Sequence, residues 1–232
     1  MIPTECTFTV DVGGKYYSVD RHGVIHQMPP YDKYVYDIQY LKDRYFDIPE
    51  KIAAISHLRA GLILGVTTPM SGDPLLDVGY GTGGFLGVIQ KYRVRACGVE
   101  VIDYPVPDGC YAISDQEMRY CHWHTVTFFD SVEHTIPHYL AILNTTYVVI
   151  TAPWCHEAPG TEWFHNWKHR RYDEHLSHFN PDSLRSMLSE YKYEEVWRGN
   201  PEDIVRGTLD GRENTFTAIF KKILFTGNEV RV

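Results

Sequence analysis

The apolar positions change period along the chain, and each change marks an element. Thr7 to Val12 and Lys15 to Val19 alternate in the manner of strands on either side of Gly13-Gly14, a two-residue hairpin signal. Pro29-Pro30 closes this extended region, which covers residues 1–32. From Lys33 to Gly65 the spacing turns helical, with a break near Ile48-Pro49. Ile52, Ile55, Leu58 and Leu62 stand three and four residues apart, which predicts one buried helix face. Residues 1–70 therefore read as an N-terminal extension, a hairpin followed by helices, and residues 71–232 as the domain it packs on.

In that second part short apolar runs alternate with helical ones. Strands are predicted at Leu75–Val78, Ala96–Glu100, Tyr111–Ile113, Thr125–Asp130, Tyr147–Thr151 and Phe216–Phe220. Helical spacing runs from Phe85 to Tyr92, and Pro181–Glu190 is a helix with Asn180 as its N-cap. Apolar strands interleaved with helices imply a parallel sheet covered on both faces, so the fold class is α/β.

The first strand of this series runs into Gly79-Tyr80-Gly81-Thr82-Gly83-Gly84 and then a helix. Such a turn gathers backbone N–H groups and the positive end of the helix at one point, in the crevice at the carboxyl ends of the strands. Glu100 ends the next strand, 23 residues after Asp77, where a carboxylate can accept both hydroxyls of a ribose. Two ligand classes fit. Gly79, Gly81 and Gly84 match the GxGxxG of a dinucleotide site. Asp77 followed by Gly79, Gly81 and Gly83 matches the acid-then-GxGxG signature of S-adenosylmethionine sites. An Asp there would repel a pyrophosphate but can hold a cationic amino group, which favours the second class.

The stretch Leu75–Leu86 resembles the first motif of class I S-adenosylmethionine-dependent methyltransferases. Cys97-Gly98-Val99-Glu100 is similar to their second motif, and Val126 to His134 to their fourth, in the D-x-x-E-H form of the small-molecule branches. Glu174 to Leu184 is similar to a segment before a late helix. The likeness spans roughly residues 72–222 and implies a Rossmann-like, seven-stranded, mostly parallel sheet with its last strand antiparallel. It also implies a cofactor site, with Gly79, Tyr80 and Gly81 along the methionyl group and Asp77 at its amino group. Glu100 would hold the ribose, Val101 would lie against sugar or adenine, and Phe129, Asp130 and Ser131 beside the reacting sulfur. The chain departs from the pattern at Leu143–Thr146, which lacks a glycine pair, and at Tyr104-Pro105-Val106-Pro107, where the helix after the second strand is expected to be shortened or lost. Ser114-Asp115 is the expected adenine-edge contact.

Composition narrows the partners. With 22 Lys+Arg against 30 Asp+Glu the net charge is −8, which disfavours nucleic-acid backbones. Phe129-Asp130-Ser131-Val132 also lacks the Asp/Asn-Pro-Pro-aromatic motif of amino-methylating DNA enzymes. No apolar run approaches a membrane span, the start lacks a secretory pattern, and five unpaired-looking cysteines fit a reducing compartment; a cytoplasmic location is expected. The expected acceptor is a small molecule or a sugar or lipid precursor, attacked in line, with S-adenosylhomocysteine as product. His134, His156 and His175 are the candidate bases. Cys121-His122-Trp123-His124, with Cys110 and Cys155-His156, lacks zinc-ligand spacing, so no metal site is expected. Tyr31, Tyr34, Tyr36, Tyr40 and Tyr45, with Arg44 and Arg59, read either as a lid or as packing. Trp154, Trp163, Phe164 and Trp167 read either as acceptor lining or as packing. The competing functions are an NAD(P)-dependent oxidoreductase, for which no Tyr-x-x-x-Lys follows the fifth strand, and a non-catalytic subunit that keeps the fold.

Overall fold

The computed structural model describes residues 6–29, 36–135, 139–209 and 211–223. Gly13-Gly14 folds β1 (Cys6–Asp11) back antiparallel on β2 (Tyr16–Asp20), as its alternation predicts. β3 (Ile25–Met28) continues the sheet. The helical stretch begins with α1 (Ile38–Leu41), passes through a π-helical turn at Lys42–Phe46 and breaks at Ile48. Pro49 then opens α2 (Pro49–Val66), a position where its missing N–H costs nothing. The buried face of α2 centres on Ile55, Ser56, Ala60 and Ile63, so Leu58 and Leu62 lie at its margin rather than on it.

The main sheet is built from β4 (Pro74–Val78), β5 (Arg95–Val99), β6 (Tyr111–Ala112), β7 (Trp123–Phe129) and β8 (Thr145–Pro153), all parallel. α3 (Gly84–Ile89) follows β4, α4 (Asp115–Tyr120) follows β6 and α5 (Tyr139–Ile142) follows β7. No helix separates β5 from β6; residues 100–110 form turns, as the prolines there suggest. After β8 come α6 (Glu162–Asn166), β9 (Ser177–His178), α7 (Pro181–Glu190), β10 (Tyr193–Gly199), α8 (Asp203–Arg206) and β11 (Thr215–Lys222). The seven strands lie in the order β10-β11-β8-β7-β4-β5-β6, with β11 antiparallel to both neighbours.

Neighbouring residues of one strand face opposite sides, so a sheet buried on both faces needs two cores. Leu75 and Leu76 show this: Leu75 packs with Ala60, Ile63, Phe85 and Ile89 from α2 and α3, whereas Leu76 packs with Met118, Leu184, Met187 and Leu188 from α4 and α7. Val149 and Ile219 point to the first core, Val148 and Phe220 to the second. Asn180 caps α7 as predicted, with Ser183 returning the bond.

β9 joins the small N-terminal sheet, whose order is β1-β2-β3-β9, so the extension is stitched to the main domain through Ser177 and His178. Tyr17 and Phe164 sit edge to face in a third core with Val12, Ile25 and Trp167.

One ion network pulls α2, the end of β7 and α8 together. Arg59 donates to both Glu202 oxygens at 2.7 and 3.0 Å and to Asp130 at 2.9 Å. Arg206 donates to Glu202 at 2.7 Å and also to Asp130. Glu202 is buried, so losing its charge would leave two guanidiniums sharing Asp130 alone. Glu202→Ala should therefore lower unfolding stability by ~3–5 kcal/mol in urea denaturation. A loss under ~1 kcal/mol would place the network at the level of an exposed pair.

Candidate active site

The site is assembled where β4, β5 and β7 end. Gly79 leaves β4 with φ 76° and donates its N–H to the Val99 carbonyl at 2.8 Å. A Cβ on Gly79 would stand 2.8 Å from Cβ of Ser131, so both the backbone and the space require glycine. The Glu100 carboxylate accepts from the Gly81 N–H at 2.7 Å and from the Val101 N–H at 2.8 Å. It thereby fastens the glycine turn to the end of β5; Oε1 also accepts from the Ile102 N–H at 3.4 Å, while Oε2 keeps a further lone pair. Ser131 donates to the Val78 carbonyl at 2.6 Å, and the Tyr80 hydroxyl donates to the Tyr104 carbonyl.

Two chambers open around this turn. The larger, of about 760 Å³, lies within the range of small-molecule sites. Glu100, Gly79 and Gly81 form its floor, and Ile102, Ile113, Met118 and Leu143 make an apolar slot with Ser114 at its edge. The smaller, of about 300 Å³, is polar and is bordered by Asp77, Glu133, Lys168, His169, Glu174 and His175 among others. Tyr40, Tyr45, Gly79, Gly81, Asp130 and His134 border both, so the chambers meet there.

The charges at this junction are held in fixed states. Burial alone would raise the Asp130 carboxyl, but Arg206 and Arg59 outweigh it and bring it down to about 2. Asp130 also carries φ 56°, a left-handed turn at the end of β7 that Asp tolerates better than most residues. Burial pushes the Asp77 carboxyl up to about 6, although the Thr127 hydroxyl donates to it at 2.7 Å. Burial, helped by Asp130, pushes the Tyr45 phenol up to about 12, so Tyr45 stays neutral. Burial, then the neighbouring His134, holds His175 well below the usual imidazole range, and it too is neutral at pH 7.

The structure brings together Asp77, Gly79, Tyr80, Gly81, Glu100, Val101, Phe129, Asp130, Ser131, His134 and His175, each bordering one chamber or both. Val101 is 80% exposed at the rim. Phe129 is buried, edge-on to Phe85 and beneath the Arg59 guanidinium. His156 lies elsewhere, in a separate cleft with Trp154 and Arg198, where its Nε2 donates to the Glu213 carbonyl at 2.7 Å. Ser114 borders the larger chamber. Tyr36, Tyr40 and Tyr45 line the chambers; Tyr31 and Tyr34 lie outside the described residues. Arg59 and Arg44 are engaged by Glu202 and Glu174 respectively. Phe164 and Trp167 pack the small sheet. Glu133, Lys168, His169, Arg171, Glu174, Arg206 and Asn214 also border the smaller chamber and were not singled out by sequence reasoning. Glu133 and Glu174 stood inside motifs whose neighbours drew attention, whereas Arg206 and Asn214 follow no motif.

A mostly parallel sheet in this strand order, with a glycine turn after its first parallel strand and an acid closing its second, matches the class I S-adenosylmethionine-dependent methyltransferases. The sequence profile of a methyltransferase-domain family matches residues 40–196, and the chain belongs to that family. This sets aside the dinucleotide-dependent oxidoreductase that GxGxxG left open. Magnesium protoporphyrin IX methyltransferase of Synechocystis PCC 6803, solved with bound S-adenosylhomocysteine, superposes with a TM-score of 0.52 at 10% identity, over 80% of this chain and 92% of that one. A S-adenosylmethionine-dependent methyltransferase from Archaeoglobus fulgidus gives 0.53 at 17% identity, over 78% and 100%. A geranyl diphosphate methyltransferase, in complex with its diphosphate and sinefungin, gives 0.54 at 14% identity, over 72% and 78%. No curated protein sequence matches. Among the described residues, no helix is long and apolar enough to cross a membrane.

The glycine turn carries its own test. Gly79→Ala forces a left-handed L-residue against Ser131 and should cost ~1–2 kcal/mol from backbone conformation alone. Thermal unfolding of the variant checks this, and an unchanged midpoint would show that the turn is not constrained as described.

Proposed function

We propose that this chain transfers a methyl group from S-adenosylmethionine to a small polar acceptor, with the nucleoside of the cofactor in the larger chamber, its methionyl end crossing the junction toward Asp77, and the acceptor in the rest of the smaller chamber. The observation that carries the reading is the junction: a cavity running from the Glu100 carboxylate to the Tyr45, Asp130 and His134 wall meets a polar cavity there. Glu100 would accept the ribose hydroxyls, the slot of Ile102, Ile113 and Met118 would take the adenine, and Ser114 would meet its edge. Gly79, Tyr80 and Gly81 would run along the methionyl group, with Asp77 at its amino group. Phe129 and Ser131 would shape the space beside the sulfur. Asp130, gripped by two arginines, would fix that wall rather than hold the ligand.

Methyl transfer from a sulfonium needs little more than alignment of donor and acceptor at about 3–3.5 Å. The polar lining of the smaller chamber supports an acceptor that attacks through oxygen or nitrogen. His134 and His175 border that chamber and would serve the acceptor's reacting end; His156, in its separate cleft, would not. A small-molecule acceptor agrees with the acidic net charge and with a chamber of about 300 Å³.

Calorimetric titration with S-adenosylhomocysteine tests the cofactor half. The wild type should bind, and Glu100→Ala should weaken binding by at least about tenfold, because each hydrogen bond to a charged group contributes ~1.5–3 kcal/mol. Wild type that takes up no S-adenosylhomocysteine would overturn the reading.

The same titration has a pH signature. Asp77 loses its proton at about 6 in the free protein, and a cationic amino group favours its ionised form. Affinity should be level above pH 7 and fall as pH drops through 6, to roughly one tenth at pH 5. A flat profile from pH 8 to 5 would remove Asp77 from the amino-group contact.

A further inference from the structure

Three side chains beside the acceptor chamber have surroundings that neither the fold nor the cofactor accounts for. Glu133 is 2% exposed, and its Oε2 has no hydrogen-bond partner among the described residues. His175 is 4% exposed, and its Nδ1 is equally without a partner there. Buried polar atoms are normally satisfied, and a buried carboxylate oxygen with no partner is costly. One potential ligand atom from each of Glu133, His134 and His175 lies within 4.8 Å of the other two.

The tautomers point the same way. Nδ1 of His134 stands 2.8 Å from the Tyr36 hydroxyl, which can donate or accept, and 3.0 Å from the Glu174 carbonyl, which can only accept. Nδ1 therefore carries the proton, and the lone pair falls on Nε2. Nε2 of His175 stands 3.9 Å from the Glu174 carboxylate. A proton on that nitrogen leaves the lone pair on Nδ1, the orphaned atom. The Glu174 carbonyl thus orients the His134 imidazole, in the way outer partners orient metal-bound histidines, while its carboxylate lies at ion-pair distance from His175. The four surrounding arginines are turned to other acids and share three carboxylates: Arg44 and Arg171 pair with Glu174, and Arg59 and Arg206 with Asp130 and Glu202.

We propose that Glu133, His134 and His175 form a divalent transition-metal site whose open positions face the acceptor chamber. Two imidazoles and one carboxylate suit zinc, manganese, iron(II) or cobalt(II), whereas magnesium prefers oxygen ligands throughout. Three protein ligands leave room for a substrate oxygen, as in catalytic rather than structural sites. The role assigned to the metal rests on the methyl-transfer reading; its binding does not. An acceptor hydroxyl coordinated there loses its proton more readily and releases it to water. The oxygen lone pair attacks the sulfonium methyl, the C–O bond forms as the C–S bond breaks, and sulfur keeps that electron pair. The products are a methyl ether, S-adenosylhomocysteine and one proton, and the acceptor is an oxygen nucleophile.

Cobalt(II) provides the test. Full-length protein stripped with chelator and titrated with CoCl2 should develop visible d–d absorption saturating at one equivalent, without a near-ultraviolet thiolate band. Glu133→Gln and His175→Asn should each bind cobalt at least about tenfold more weakly. Both should keep wild-type affinity for S-adenosylhomocysteine, which shows that they are folded. Wild type that binds S-adenosylhomocysteine but develops no cobalt spectrum overturns the metal site and leaves the methyltransferase reading intact. A thiolate band, or a spectrum that neither substitution alters, places the metal elsewhere and also overturns it. A spectrum with these properties in protein that takes up no S-adenosylhomocysteine upholds the site and removes the reading it was joined to.

Discussion

Two carboxylates shared between two arginines hold the active end of this molecule in shape. Asp130 is the first residue past β7, Glu202 sits at the start of α8, and Arg59 comes from the middle of α2. Neither arginine could be buried here alone, and removing either acid would leave buried positive charge undercompensated. Because the four groups require one another, α2 is locked over the carboxyl ends of the strands. The wall between the two chambers then stands in one place. Asp130 accepts a left-handed backbone in that position, so the chain turns sharply out of the sheet and carries Ser131 against Gly79 and Glu133 toward His175.

On that frame, the two halves of the proposed chemistry fall to different elements. The cofactor half would belong to β4 and β5: the glycine turn brings the backbone close, and Glu100 ties the turn down while Oε2 keeps a lone pair for a ligand. The acceptor half belongs to the residues after β7 and to the loop that leads into β9, where Glu133, His134, Glu174 and His175 gather. β9 also joins the small N-terminal sheet, so the loop carrying Glu174 and His175 is anchored at its far end by β3. The extension thereby supports the acceptor chamber as well as lining it through Tyr40 and Tyr45.

Much of this was legible in the residues, and the remainder was hidden for physical reasons. The strands β4, β5, β7, β8 and β11 announce themselves because each is an apolar run bounded by turn residues. The glycine turn with Asp77 and Glu100 is legible because its spacing is local. β10 was missed because Tyr193–Gly199 lies toward the sheet edge and mixes Glu194, Glu195 and Arg198 among its apolar residues, so it shows no continuous run. β9 is two residues long and pairs with a strand about 150 positions earlier, a partnership that local pattern cannot encode. The ion network is hidden for the same reason: Arg59 meets partners 71 and 143 residues away. His134 and His175 were singled out one at a time, but their meeting with Glu133 depends on how two loops cross. His156, chosen on the same chemical grounds, falls in another cleft because β8 carries it past the junction.

A crystal structure with S-adenosylhomocysteine tests the central claim most directly. The ribose hydroxyls are expected on Glu100, the adenine between Ile113 and Met118, and the sulfur facing the wall of Tyr45 and His134. A nucleoside bound anywhere else, or a larger chamber left empty at saturating ligand, would contradict it.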